Sequence, residues 1–232
     1  MTADSRSQGL WYSMRRYYVD SFHFQHVAPL PAGSRVVDLG GKKINKRGVF
    51  DISKYNVEVT CVNIAEETNP DVIADIADLP LPSHQFDVAL FSEVLEHVSD
   101  PIPALKEAKR VLRPGGVLLI CVPFLSRIHP DPCDYARYTD HWWRETLTTV
   151  GFANIEIKRQ GYFWSVFVDL VREWTYQKSK GSTVWFHCIR RGLQPLVHWA
   201  RRKAIQWDRN IKLQRHPSFG NYTTGFGIKA CS

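Results

Sequence analysis

The chain has 232 residues, 44% of them hydrophobic, with 30 Lys/Arg against 23 Asp/Glu, which suits one sizeable core with an elaboration rather than two equal domains. No uncharged apolar run approaches the roughly 18 residues of a membrane span, and the first thirty residues lack a secretory signal pattern, so a cytoplasmic protein is expected. Five scattered cysteines, at 61, 121, 133, 188 and 231, show no zinc-type or CxxC spacing and read as reduced, mostly structural thiols.

Residues 9–28 carry Tyr17, Tyr18, Phe22 and Phe24 among basic and polar residues, which suggests an N-terminal helix laid across the domain. Pro29 to Ser34 breaks that pattern. Arg35-Val36-Val37-Asp38-Leu39-Gly40-Gly41 then runs as a β-branched strand into a glycine turn. Further strands are expected at Val57 to Val62, ending at Asn63, at Asp71 to Asp75, and at Phe86 to Phe91, ending at Ser92 and Glu93. From Leu95 to Leu112 apolar residues recur at helical intervals, with Pro101 near a start and Pro114-Gly115-Gly116 at the close. Val117 to Val122 is apolar throughout, as in strands buried on both faces. A helix over 141–150 stopped by Gly151 and an alternating strand from Ala153 to Lys158 follow.

Strands separated by helical crossovers argue for an α/β, doubly wound, mostly parallel sheet that binds its ligand at the carboxyl ends of the strands. Residues 162–180 and 183–208 interrupt the rhythm with two helix-like stretches, the second broken or restarted at Gly192 and Pro195. Tyr222 to Lys229 looks like the last strand. The expected organisation is a helical cap (1–34), a Rossmann-like core (35–161), a basic aromatic helical insertion (162–208) and a final strand (209–232).

Charge is uneven along this plan. From Gln160 onward twelve Lys/Arg stand against three acids, whereas the first 159 residues carry eighteen against twenty. The rear, with Arg190, Arg191, Arg201, Arg202 and Lys203 around an apolar helix face, points to an anionic partner, phospholipid or lipid phosphate before RNA, or to a solvated surface.

Asp38-Leu39-Gly40-Gly41 forms a tight turn in which backbone can approach a ligand with no Cβ in the way. Asn63, followed by Ile64, ends the next strand where a ribose-binding side chain is needed, or else it stabilises a turn. Asp75 either accepts from an exocyclic amine such as that of adenine or caps a helix.

The stretch from Val36 to Phe152 resembles the small-molecule class I methyltransferases that include ubiquinone and sterol methyltransferases. The matching pieces are VVDLGG at 36–41, ADIADLPLPSHQFDVALFSEVLEHVSDP at 74–101 and EAKRVLRPGGVLLICVPF at 107–124. The segment IHPDPCDYARYTDHWW at 128–143 is similar to members associated with bacterial surface-polysaccharide and glycolipid biosynthesis, which also tend to carry a basic aromatic segment before the last strand. The resemblance implies a seven-stranded Rossmann-like fold and S-adenosylmethionine as cofactor. On it, Asp38, Gly40, Gly41 and Lys42 hold the methionine end, Asn63 and Ile64 the ribose, Asp75 and Ile76 the adenine, and Ser92 the floor. Two departures stand out: Lys42 and Ile44 replace the family's later glycines, and Asn63 replaces its usual carboxylate.

Methyl transfer needs the nucleophile in line with the methyl group, and a hydroxyl acceptor gains from a base of near-neutral pKa. His97, just after the fourth strand, either is that base or packs and caps; His129 and Asp131 are the alternatives. In the same loop Asp134, Tyr135, Arg137 and Tyr138 offer hydrogen bonds and stacking faces for a polyhydroxylated sugar. His129, Asp131 and Asp134 are ordinary metal ligands, yet nothing else completes a coordination set, so no metal is expected. Base-amine and pyrimidine-C5 methylation are disfavoured, because Ser92-Glu93-Val94 stands where a Pro-Pro-aromatic turn belongs and Cys121-Val122-Pro123 is not a Pro-Cys pair. The expected function is O-methylation of a sugar hydroxyl in glycan or glycolipid assembly. Residues 162–208 are expected to dock at the cytoplasmic membrane face; another small molecule, RNA ribose or a non-catalytic partner role are the alternatives.

Overall fold

A computed structural model describes residues 12–44, 48–129, 133–180 and 184–232. Seven strands form a single sheet: β1 (Ser34–Leu39), β2 (Val57–Asn63), β3 (Val72–Ile73), β4 (Phe86–Ser92), β5 (Leu112–Pro123), β6 (Ala153–Arg159) and β7 (Gly225–Cys231). Their order is β3-β2-β1-β4-β5-β7-β6. All neighbours run parallel except β7, which lies antiparallel between β5 and β6.

The apolar runs are continuous because the central strands are covered twice. Val37, Leu39, Ala89, Phe91, Leu118 and Ile120 face one layer, packing with Ala104, Leu105, Ala108 and Val111 of α2 (Pro101–Val111) and with Trp143 and Leu147 of α3 (Asp140–Val150). Their alternates Val36, Val88, Leu90, Leu119 and Cys121 face the other. A period of two on a sheet covered on both faces demands apolar residues at every position.

The second layer departs from the sequence expectation. Among the described residues the β1–β2 connection holds a 3₁₀ turn (Ile52–Lys54) and no α-helix. That face is covered instead by α1 (Met14–His26), whose Val19 and Phe22, together with Val27, Phe50 and Ile52, pack on the strands. Asp20 of α1 fastens the loop, accepting from the N–H groups of Val49 (2.9 Å) and Phe50 (3.4 Å) and from the Tyr12 hydroxyl (2.6 Å).

The helix expected from Leu95 to Leu112 resolves into a 3₁₀ turn (Leu95–His97) and α2. Asp100 caps α2 by accepting from Ile102 N–H (3.0 Å), and Pro101 stands at its first position, where a missing N–H costs nothing. β7 starts at Gly225 rather than Tyr222, because the Thr223 and Thr224 hydroxyls bond to the Gly225 and Gln160 carbonyls and form a turn first.

The insertion is a helical hairpin of α4 (Phe163–Lys180) and α5 (Val184–Asp208), followed by short helices α6 (Ile211–Arg215) and α7 (Pro217–Gly220). α5 continues through Pro195 without the expected break. An internal proline costs about 3 kcal/mol, and burial of Val197, Arg201, Ala204 and Asp208 along one stripe of α5 opposes it. Asp208 reaches the start of α4, accepting from the N–H groups of Tyr162 (2.8 Å), Trp164 (3.2 Å) and Ser165 (3.0 Å). Asp169 of α4 does the same for α1, accepting from Met14 (3.0 Å) and Arg15 (3.2 Å). Two of the rear's cations are inside: Arg201 donates to the Tyr12 carbonyl, and Arg172 pairs with Asp169 and Glu173. The side chains of Arg190 and Arg191 lie outside those described. No described helix is long and apolar enough to cross a membrane.

Candidate functional site

A cleft of about 1470 Å³ opens at the carboxyl ends of β1, β2 and β4. Ligand pockets commonly measure ~300–1,000 Å³, so this one has room for a nucleoside-sized ligand and a second molecule. Asp38, Gly40, Gly41, Lys42, Asn63, Ile64, Asp75, Ile76 and Ser92 all line it, and so do His97, His129 and Tyr135.

The glycine turn is fixed by contact as well as by conformation. Gly40 has φ +78°, and a Cβ there would stand 2.5 Å from Val94 Cγ1. A Cβ on Gly41 would lie 2.1 Å from Asp38 Oδ2, so any side chain at 41 displaces the carboxylate of 38. Gly40 N–H donates to the Val62 carbonyl (2.8 Å), which docks the turn onto β2.

Asn63 explains its own departure from a carboxylate. Its Nδ2 donates to the carbonyls of Gly40 (3.1 Å) and Gly41 (2.7 Å), while Oδ1 accepts from Ala65 N–H (2.9 Å). Two carbonyls on one side and an N–H on the other fix the orientation of the amide. A carboxylate donates nothing and would face two oxygens. The structure therefore gives Asn63 the turn-stabilising part, with one lone pair of Oδ1 left toward the cleft. Asp75 is exposed and accepts from Ala77 N–H (2.9 Å) in a local turn, beside buried Ile76. Lys43 pairs with Asp71, which also accepts from Cys61 N–H (2.8 Å).

Beside the glycine turn the chain turns sharply after β4. Glu93 has φ +58°, rare for a residue with a side chain, and its N–H donates to the Cys121 carbonyl (2.9 Å). Its carboxylate accepts from buried Arg15, at 3.0 Å from Nε and 2.5 Å from Nη2. Glu96 is buried, with 1% of its side chain exposed. Among the described residues neither of its carboxylate oxygens has a hydrogen-bond partner. Burial first and the nearby Glu93 carboxylate second push its carboxyl well above the usual range.

Residues 133–138 lie against this turn. Tyr135 N–H donates to the Glu96 carbonyl (2.8 Å), and the Cys133 carbonyl accepts from His97 Nδ1. The His97 and His129 rings meet edge to face with centroids 5.2 Å apart. Asp134, Arg137 and Tyr138 do not line the cleft. Arg137 forks onto Asp134 (Nη2 to Oδ2 2.6 Å), whose carboxyl it holds down to about 2. Asp134 in turn accepts from His129 N–H (3.0 Å). Tyr138 stacks on Trp142 at 3.7 Å as part of the core edge. These three shape the loop that carries His129 and Tyr135. Asp131 lies outside the described residues. Glu93 and Glu96, which the sequence reading passed over, carried a visible signal: two acids three apart followed directly by a histidine, where a strand ends.

A protein family described as a methyltransferase domain matches residues 42–120. With the sheet order above, the chain has the Rossmann-like fold of class I S-adenosylmethionine-dependent methyltransferases. It is 28% identical over 152 residues to 2-methyl-6-phytyl-1,4-hydroquinone methyltransferase 1 of rice (Oryza sativa subsp. japonica), covering 57% of this chain and 45% of that protein. With a ubiquinone/menaquinone biosynthesis C-methyltransferase of Neisseria gonorrhoeae it shares 31% identity over 114 residues, 42% of this chain and 46% of the relative. The match spans less than half the length of these curated relatives. A crystal structure of a SAM-dependent methyltransferase from Archaeoglobus fulgidus superposes with a TM-score of 0.56 at 14% identity, covering 94% of each chain. That likeness carries the fold.

Proposed function

We propose that this methyltransferase uses S-adenosylmethionine to methylate a hydroxyl on the sugar of a lipid-linked glycan or glycolipid. The observation that carries the reading is one continuous cleft lined by both the glycine turn and the His97–His129 pair.

The residues present fit the cofactor. Gly40 and Gly41 keep the turn free of side chains that would fill it or move Asp38. Bound there, S-adenosylmethionine supplies a methyl group on a sulfonium. Asp38, Gly40, Gly41 and Lys42 hold the methionine end, Asp75 and the backbone of Ile76 take the adenine, and Ser92 forms the floor. Asn63 and Ile64 border the ribose, Asn63 acting mainly through the turn it fixes. The Cys133 carbonyl holds His97 in the Nδ1–H tautomer, which leaves Nε2 to accept the proton of the acceptor hydroxyl. Tyr135, half exposed at the mouth, offers a ring face to a sugar.

Phe167, Leu170, Val171 and Trp174 recur at helical spacing on α4 and are 50%, 58%, 46% and 65% exposed. Such a stripe on a helix suits the interface of a bilayer. Arg127 ties the loop beside the mouth to Glu173 of this helix (2.8 Å), and Leu125 and Ile128 are exposed in that loop. Exposed Arg202, Arg209, Lys212 and Arg215 supply positive charge nearby in the chain. An apolar face next to a polar mouth supports an acceptor with a lipid tail and a hydroxylated head. Phe167→Ser with Trp174→Ser should release the protein from anionic vesicles, as should high salt; retention under both conditions would remove the docking role.

The first test of the activity is calorimetric titration of S-adenosylmethionine and S-adenosylhomocysteine, followed by transfer of labelled methyl to polyprenyl-linked sugars and to a prenylated hydroquinone. A methyl ether on the sugar is the expected product. A second reading is favoured by the relatives, one of which is named a C-methyltransferase: methylation of a ring carbon of a prenylated hydroquinone, recognised by NMR of the product. Absence of cofactor binding would refute both.

A further inference from the structure

We propose that Glu96, His97 and His129 form a binding site for one divalent transition-metal ion, of which zinc is the reference case. The three side chains come from the turn after β4 and from the loop after β5. One ligand atom from each lies within 4.8 Å of the other two. His97 Nε2 stands 3.7 Å from Glu96 Oε1.

Both imidazoles are already oriented as metal ligands are. A ligating histidine commonly donates its second N–H to a carbonyl or carboxylate, which fixes the ring and points the lone pair of the other nitrogen at the metal. His97 Nδ1 is bonded to the Cys133 carbonyl. His129 Nδ1 lies 3.2 Å from the Arg127 carbonyl and 3.4 Å from Asp134 Oδ2. In each ring Nε2 remains for coordination. Glu96 is the independent observation: its side chain is 1% exposed and, among the described residues, neither oxygen has a hydrogen-bond partner. A buried carboxylate normally finds donors, and the cationic side chains around it are engaged elsewhere, Arg15 by Glu93 and Arg137 by Asp134.

Two nitrogens and one carboxylate oxygen suit Zn²⁺, Co²⁺ or Fe²⁺ better than Mg²⁺ or Ca²⁺, which favour all-oxygen sets. Zinc bonds of about 2.0–2.2 Å at tetrahedral angles set ligand atoms roughly 3.3–3.6 Å apart; His97 Nε2 and Glu96 Oε1, at 3.7 Å, nearly have that spacing, and side-chain rotation draws His129 in to close the site. His97 and His129 line the cleft, so an ion there keeps positions open toward the acceptor. On the methyl-transfer reading, an acceptor hydroxyl takes such a position and releases its proton to water as the oxygen binds. His97 Nε2 then serves as a ligand in place of acting as the base. Metal binding itself does not depend on that reading.

The test uses the full chain without an affinity tag, stripped with a chelator and titrated with Zn²⁺, Co²⁺ and Mg²⁺. One equivalent of Zn²⁺ should bind, and Co²⁺ should show visible ligand-field bands that Zn²⁺ abolishes and Mg²⁺ does not. Glu96→Gln and His129→Ala should each weaken Zn²⁺ at least about tenfold, a size typical of losses at metal sites, while His141→Ala, on the exposed face of α3, leaves it unchanged. S-adenosylhomocysteine titrated into the same samples reports the fold and the cofactor site separately. If Glu96→Gln fails to fold, His129→Ala decides. No Zn²⁺ uptake by the wild type, or uptake that His129→Ala leaves intact, overturns the proposal, whatever the outcome for the cofactor.

Discussion

Asn63→Asp would restore the carboxylate that similar methyltransferases usually place at the end of β2, and the structure says that it should harm the protein. The substitution removes two donations, to the Gly40 and Gly41 carbonyls, worth about 1 kcal/mol each. It also sets a carboxylate, at a position 8% exposed, against two carbonyl oxygens. Leaving such groups unsatisfied costs roughly 1–3 kcal/mol more, for an expected loss of about 3–5 kcal/mol. Part of that loss falls on the glycine turn itself. S-adenosylhomocysteine affinity should therefore drop at least about tenfold, the equivalent of 1.4 kcal/mol. Urea unfolding and calorimetric titration of wild type, Asn63→Asp and Asn63→Ala measure both quantities. An Asn63→Asp variant of wild-type stability that binds the cofactor product more tightly would refute the reasoning and return Asn63 to the role of ribose acceptor.

Gly41→Ala should separate binding from folding: its φ is not in the left-handed region, but the added Cβ displaces the Asp38 carboxylate. Cofactor affinity should fall at least about tenfold with little change in urea midpoint; unchanged affinity would mean that Asp38 does not hold the ligand. Burial pushes the His23 imidazole down to about 3, against about 6.5 in an unfolded chain. The unfolded state alone takes up this proton between those values. Stability is therefore full above about pH 6.5 and falls by up to ~1.4 kcal/mol per pH unit below it. His23→Phe, which also removes an unpartnered Nε2, should flatten that slope in urea melts from about pH 7 to 5. Parallel profiles for the two proteins would show that His23 is not the group responsible.

Much of the frame is legible in the sequence because it rests on short-range rules. The β-branched run at 35–39, the apolar stretch at 117–122 and the Gly151 stop each record a local demand, and each stands at or within a residue or two of an observed element. What escapes is set by distant partners. Nothing near Asn63 in the chain reveals that its amide spans the carbonyls of Gly40 and Gly41. Among the described residues the face beside the β1–β2 connection is covered by α1, through contacts with residues far along the chain. Arg172 and Arg201 count as charge of the basic rear by type alone, whereas Asp169, Glu173 and the Tyr12 carbonyl receive them inside. At the site the loop residues Asp134, Arg137 and Tyr138 had the right chemistry for an acceptor, but an ion pair and a stacked ring use it for the loop's own shape. Glu96 was passed over for the opposite reason, since a carboxylate following a strand end reads as solvated until its burial is known.

The closure of the α4–α5 hairpin by Asp208 bears on how such proteins diverge. One carboxylate at the foot of α5 holds the first turn of α4, so the hairpin is anchored where it leaves the sheet. Turns can then be gained or lost away from that anchor without disturbing the register of β6 against β7. The length of this projection is free to track different surroundings or acceptors, while the sheet and its cleft stay unchanged beneath it.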